Sequence, residues 1–300
     1  PRSSNSGEQV FYVSPRGSDG WTGTSPRPNR GRSDGPWATP AGVLARLSAL
    51  KQQGRLTGPV TLCFAGGTYE LESPLRIGPE LDWPIRFCAG PGETPVFSGG
   101  RKIEGWKVGR LNGRTVWTVD LPEVREGKWT FRSLFVNGRR APRPRRPKKG
   151  LFRMAAVPGM KLPAGWGQGG QTVFECAPGD VQAFRNLADV EVVSLHFWIE
   201  ERSPIAAFDP ACNRVTMRRP SRAPLVGSFR SQLADYYLDN VWEALSEPGE
   251  WYLDRAEGRL YYLPREGEKP SQTEIIAPRL FQVMALEGHP DRSEWVKHLR

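Results

Sequence analysis

No apolar run in this chain approaches the roughly 18 residues that a membrane-crossing helix needs, so a helical span is excluded. The opening PRSSNSGEQ is polar and carries no signal-peptide pattern; export is neither shown nor excluded by it. Histidine is scarce, with three in 300 residues, and none stands at metal-ligand spacing to another. The four cysteines include no CxxC pair, which argues against zinc. No glycine-rich segment sits at a strand-to-helix junction, so no phosphate loop is present. Long helical patterns are nearly absent too. The 33 glycines and 28 prolines cut the apolar stretches short and favour many strands and turns.

Two segments repeat each other 25 residues apart. GPVTLCFAGG (58–67) aligns with WPIRFCAGPG (83–92), placing Val60 over Ile85, Leu62 over Phe87 and Cys63 over Cys88. Each copy is a short strand opened by Pro and closed by a glycine-containing turn. That spacing suits one turn of a parallel β-coil. Alternation sends Val60, Leu62 and Phe64 to one face and both cysteines to the other. Neighbouring coils lie about 4.8 Å apart, so the two cysteines could form a disulfide or remain a pair of thiols.

One helix is expected, within residues 36–54. Thr39 suits the N-cap, Pro40 the first helical position and Gly54 the C′ position. Val43, Leu44, Leu47 and Leu50 form its apolar stripe. Placed before the first coil, it would cover the coil's open end. After residue 104 the writing becomes antiparallel. Asn137–Gly138 marks a tight hairpin. Residues 189–201 read as one long strand with 212–217 as its partner, and 251–264 as a hairpin turning at Gly258. Residues 274–288 resume the first style, and 294–300 begin another strand. Three regions follow: 1–104, an N-terminal cap and first coils; 105–272, a β-sandwich-like insertion; 273–300, a return to the coil. A strand starting at the last residues suggests the N-terminal part of a longer protein.

The net charge is +10, and residues 139–150 (RRAPRPRRPKKG) hold seven basic side chains with no acidic one. A polyanion contact, to nucleic acid or an acidic polysaccharide, is one reading; a solvated Pro-rich loop leaving a hairpin is preferred. Glu200 and Glu201 follow Trp198, either as carboxylates beside a sugar-stacking ring or, preferably, as a strand end in solvent. Asp254 reads as a turn residue bonding local backbone N–H groups. His196 reads as a satisfied, partly buried side chain. Among the tryptophans, Trp117, Trp198 and Trp251 are expected in cores, while Trp21, Trp83, Trp129 and Trp166 could line a groove. GWGQGGQ (165–171) reads as a mobile loop.

FYVSPRGSDGWTGTSP resembles the opening of secreted right-handed β-helix proteins, followed there too by a helix and a segment like VTLCFAGGTYEL. RSLFVNGRRAPRPRRP and EPGEWYLDRAEGRLYYLP resemble the insertion domain of glycoside hydrolase family 141, and IIAPRLFQVMALEG resembles the return to the coil. The resemblance implies an all-β protein: the start of a right-handed parallel β-helix, capped by an amphipathic helix and carrying an antiparallel β-sandwich-like insertion. It implies a secreted or periplasmic glycoside hydrolase acting on polysaccharide, with fucosidase and xylanase activities known in the family. The family's catalytic acids belong to later coils, which have no counterpart here. No catalytic, cofactor-binding or metal-binding residue is therefore assigned, and no nucleic-acid partner is expected. A Ca²⁺-dependent polysaccharide lyase on the same scaffold and a non-catalytic carbohydrate-binding protein are the alternatives.

Overall fold

Val60–Phe64 and Ile85–Ala89 lie side by side and run the same way, with Val60 opposite Ile85, Leu62 opposite Phe87 and Cys63 opposite Cys88. This is the register that the 25-residue repeat predicts. The structure, a computed structural model, describes residues 7–165, 167, 169–228 and 231–300. It divides into two units, Pro1–Arg101 with Pro278–Arg300, and Lys102–Ala277. The protein is all-β in character, with few helices and mostly antiparallel sheets.

The first unit holds the parallel pairings. Gln9–Val13 adds in parallel to Val60–Phe64. Gly67–Glu70 pairs in parallel with Pro95–Ser98, and Leu75–Ile77 with Met284–Leu286. The first unit thus holds one three-stranded and two two-stranded parallel ladders. Residues 298–300 continue the first ladder: the Ile85 amide donates to His298 O at 3.1 Å and the Phe87 amide to Arg300 O at 2.9 Å. The strand expected in 294–300 is reduced to an isolated bridge, Ile85 to Leu299. Side chains at matching positions stack along the ladders. Tyr69 lies opposite Phe97, their ring centres 5.4 Å apart and nearly parallel.

The helix spans Pro40–Gln52, with Thr39 as N-cap and Pro40 first. Thr39 Oγ1 accepts from the Gly42 amide at 2.9 Å. Asp19 supports this end from the preceding loop, accepting from the Ala38 and Thr39 amides at 2.8 and 3.0 Å. Gly54 takes the left-handed φ of 66° that stops the helix. Val43 and Leu47 are fully buried with Phe11, Val13, Leu62 and Ile85.

The second unit is antiparallel. In one sheet Lys107–Leu111, Arg114–Asp120, Arg259–Tyr262 and Trp251–Asp254 lie in that order. In the largest, Asp235–Asp239 and Ile199–Asp209 flank Glu191–His196, and Arg214–Met217 follows. The Asn137–Gly138 hairpin forms as expected, both residues at positive φ. Gly258 turns the 251–262 hairpin at φ 64°.

The reading of 189–201 as one strand is wrong. Glu191–His196 ends in a two-residue turn at Phe197 and Trp198, and Ile199–Asp209 folds straight back, with His196 opposite Ile199. Phe197 carries the positive φ of 51° that the turn requires. An aromatic residue in that role leaves no glycine or asparagine to read. Arg214–Met217 does pair in this hairpin, with the returning strand.

Candidate functional site

The largest loop of the first unit builds a cavity of about 470 Å³ between itself, the helix and the Gln9–Val13 strand. The Trp21 ring rests on Gly35; a Cβ there would lie 2.7 Å from ring carbon Cε3. Its Nε1 donates to Arg32 O at 3.1 Å. Trp37, buried beneath and stacked on Phe11 at 4.8 Å, donates its Nε1 to Trp21 O at 2.8 Å. Asp34 accepts from the Thr22 amide and hydroxyl, each at 2.8 Å, and these bonds hold its carboxyl below its usual pKa. The helix supplies Arg46 to the opposite wall, its C-cap residue Gln53 adds to it, and Arg55 follows. This is where the groove expectation for Trp21 lands.

The other tryptophans divide differently from the expectation. Trp117 and Trp251 are core residues as expected. Trp129 is buried at 5% exposure, packed on Phe131, and lines no groove. Trp83 is half-buried and donates to Gly58 O at 2.9 Å. Trp198, expected in the core, is 76% exposed at the hairpin tip. Trp166 lies outside the described residues, as do parts of the 165–171 loop.

The basic run 139–150 is only partly the solvated loop expected of it. Its backbone is built in: Trp251 Nε1 donates to Ala141 O at 3.0 Å and the Val241 amide to Pro144 O at 3.0 Å. Arg143 reaches both Glu191 and Asp239. Arg145 donates to Pro147 O and Gly150 O and covers the Tyr237 ring at 4.0 Å. Arg146 donates to Gly179 O at 2.9 Å, and Lys148 pairs with buried Glu250. Arg139, Arg140 and Lys149 stay exposed. Charge count was a poor guide because the acidic partners lie 48 to 102 residues away in sequence.

Glu191 and Asp239, 3% and 8% exposed, are the carboxylates most fully enclosed by arginine. Arg132 adds to Glu191 at 3.1 Å, and Arg202 to Asp239 at 2.6 Å. Burial opposes the charge on Arg202, but the hydrogen bond and charge of Asp239 outweigh it and hold its pKa above the ordinary value. These oxygens are committed to guanidinium donors, so the arrangement is a structural ion network rather than an acid–base pair offered to a substrate.

Glu200 and Glu201 are not a strand end. Glu200 pairs with Arg202 at 2.9 Å. Glu201 Oε2 lies 3.0 Å from His196 Nε2 and accepts from the Arg222 amide at 2.8 Å. His196 is fully buried rather than partly so, and its Nδ1 has no partner. His289 and His298 are exposed and lie far along the chain. Asp254 acts as expected, accepting from the Glu257 amide at 3.0 Å; it also lies 2.7 Å from the Arg185 guanidinium, a contact the sequence did not announce.

Cys63 and Cys88 face each other as free thiols. Burial, then the neighbouring Cys88, pushes the Cys63 thiol above its usual pKa. Among the described residues no group of three or more His, Cys, Asp or Glu could hold a metal ion. Among them, too, no helix is long and apolar enough to cross a membrane.

Residues 179–265 match the family model described as the GH141 insertion domain. That segment contains the 191–209 hairpin, Asp239 and the 251–262 hairpin. A solved structure described as a glycoside hydrolase is similar over 97% of this chain, at 26% identity and a TM-score of 0.75. The chain spans about half of that protein, 49% of its length. A second, described as the complex structure of XylC with xylose, covers 92% of this chain and 32% of its own at 12% identity and a TM-score of 0.34, a likeness too weak to carry meaning. No curated protein matches. The chain is glycoside hydrolase-like, and GH141-like over residues 179–265.

Proposed function

We propose that this chain is the N-terminal part of a carbohydrate-active enzyme, a glycoside hydrolase acting on plant or microbial polysaccharide. Its scaffold is a right-handed parallel β-helix, capped by the Pro40–Gln52 helix and interrupted by a β-sandwich-like GH141 insertion. The observation that carries the reading is the similarity to a glycoside hydrolase along 97% of the chain, coinciding with the GH141 insertion match at 179–265. The three parallel ladders of the first unit support the scaffold.

Glycoside hydrolysis needs two carboxyl groups flanking one bond, one of them protonated. The enclosed acids of this chain are tied to arginine or lysine, so chemistry is assigned to later coils. Part of the positive charge that favoured a lyase on acidic sugars is paired with carboxylates, as at Arg143 and Lys148, and the hydrolase remains the preferred reading because the GH141 insertion match supports it. Secretion or export to the periplasm belongs to the same proposal, since a polymeric substrate cannot enter the cell intact.

The test compares the 300-residue chain with a longer polypeptide that continues it, on a panel of plant and microbial polysaccharides. New reducing ends without unsaturated products are expected from the longer polypeptide and none from the chain. Unsaturated products that vanish on Ca²⁺ removal would establish the lyase instead.

A further inference from the structure

The Trp21 cavity combines three features that the ion networks of the second unit lack. It is open enough for a ligand: about 470 Å³ lies within the roughly 300–1,000 Å³ of ordinary small-molecule sites. It has an aromatic ring fixed in place by Gly35 and by the Nε1 bond to Arg32 O. It also has positive charge without compensation. Arg46 and Arg55 both line it, and no acidic side chain does.

The two arginines are held without being neutralised. Arg46 Nε donates to the Asp19 backbone carbonyl at 2.9 Å, which orients the guanidinium but leaves its charge intact. Arg55 is positioned through its backbone: Gln9 Nε2 donates to Arg55 O at 3.2 Å, while Gln9 Oε1 accepts from the Thr57 amide at 2.8 Å. The Arg55 side chain makes only a long contact, Nη1 to Gln53 Oε1 at 3.4 Å. Neither arginine has a carboxylate partner among the described residues. In the second unit Arg143, Arg153, Arg185, Arg202, Arg214 and Arg259 all do.

An aromatic plane suits the C–H face of a sugar ring. A guanidinium fork suits a carboxylate. A glutamine side chain supplies both a donor and acceptor for hydroxyls. We infer that the cavity walled by Trp21, Gln53 and Arg55 is a saccharide subsite that prefers a carboxylate-bearing sugar. The inference rests on the carbohydrate reading above and adds a ligand class and a place to it. No bond is made or broken there; the subsite binds.

The experiment titrates the 300-residue chain with trigalacturonate, with neutral xylotriose and with inorganic sulfate, by calorimetry and by following the Trp21 indole N–H in NMR spectra. Trigalacturonate is expected to bind with a Kd of about 0.1–1 mM and xylotriose at least about tenfold more weakly. Arg55→Ala and Gln53→Ala, both at exposed positions, should each weaken trigalacturonate by about tenfold or more. Trp21→Phe tests the ring while keeping an aromatic on Gly35; it should weaken binding severalfold in a chain that still folds, with a melt lowered only by the lost Nε1 bond to Arg32 O. Lys149→Ala should change nothing. Absence of trigalacturonate binding at about 10 mM, equal binding of xylotriose, or unchanged affinity in Arg55→Ala overturns the inference. Sulfate binding as tightly as trigalacturonate also overturns it, because the site would then read charge and no sugar. Polysaccharide turnover by the longer polypeptide is scored separately, so the subsite can fail while the hydrolase reading stands, and the reverse.

Discussion

The Arg143 guanidinium stands 2.7 Å from the Asp239 carboxylate in the interior of the second unit, with only 9% of its own side chain exposed. The same guanidinium reaches Glu191, so one cation from the Pro-rich run joins two neighbouring strands, Glu191–His196 and Asp235–Asp239. At Arg143, therefore, a basic residue of the run serves packing between strands.

Deleting that cation should be costly. Arg143→Met leaves two enclosed carboxylates short of a partner, a loss of about 3–5 kcal/mol. Lys149→Ala, six residues on and exposed, should stay within about 0.5 kcal/mol. Chemical denaturation of the two variants measures the contrast. Equal stabilities would show that the network carries no structural load.

Tyr69 gives a pH dependence with a definite sign. Its hydroxyl lies 3.0 Å from Val13 O and 2.9 Å from Ala65 O, and burial, reinforced by Glu93, pushes its pKa to about 12. The unfolded chain releases this proton near pH 10, the folded chain only near 12. Its contribution is thus complete below about pH 10 and is lost as pH rises from there through about 12. Tyr236, Tyr252 and Tyr262 are also raised by burial. The difference between wild type and Tyr69→Phe isolates the one residue. Tyr69→Phe should cost about 1 kcal/mol at neutral pH and show a shallower alkaline loss. Parallel stability curves would contradict the assignment.

Two glycines at similar φ should respond unequally to alanine. Gly138, at 73°, has open space where a Cβ would go, so only backbone strain of about 1 kcal/mol is expected. Gly258, at 64°, would place a Cβ 2.6 Å from Arg125 Cβ and 2.8 Å from Leu121 O. Gly258→Ala should therefore cost about 1–3 kcal/mol more. Thermal unfolding of the two variants reads the difference.

Local chemistry was the legible part of this fold. The helix ends at Thr39 and Gly54, the Asn137–Gly138 turn, the Gly258 turn and the Val60–Ile85 register each depend on a few adjacent residues or on a short repeat. The turn at Phe197–Trp198 was not legible, because surrounding structure imposes a positive φ on an aromatic residue. That error also moved Trp198 from the core to the surface. The role of Arg143 was hidden for another reason: its carboxylates come from strands distant in sequence. For the Trp21 cavity the signal was partial. Trp21 stood out as a loop aromatic. Arg46, on the helix beside the leucine stripe, could have been found by the same periodicity, whereas Gln53 and Arg55 lie past the helix end, where that periodicity stops.

The most direct measurement is the pattern of cross-strand nuclear Overhauser contacts between residues 60–64 and 85–89 in the isotopically labelled chain. The stacked account predicts contacts from the α-protons of one strand to the amides of the other, in the register Val60 to Ile85 and Cys63 to Cys88, with no close α-to-α contact. Close α-to-α contacts, the mark of antiparallel neighbours, or no contact between the two segments would contradict it.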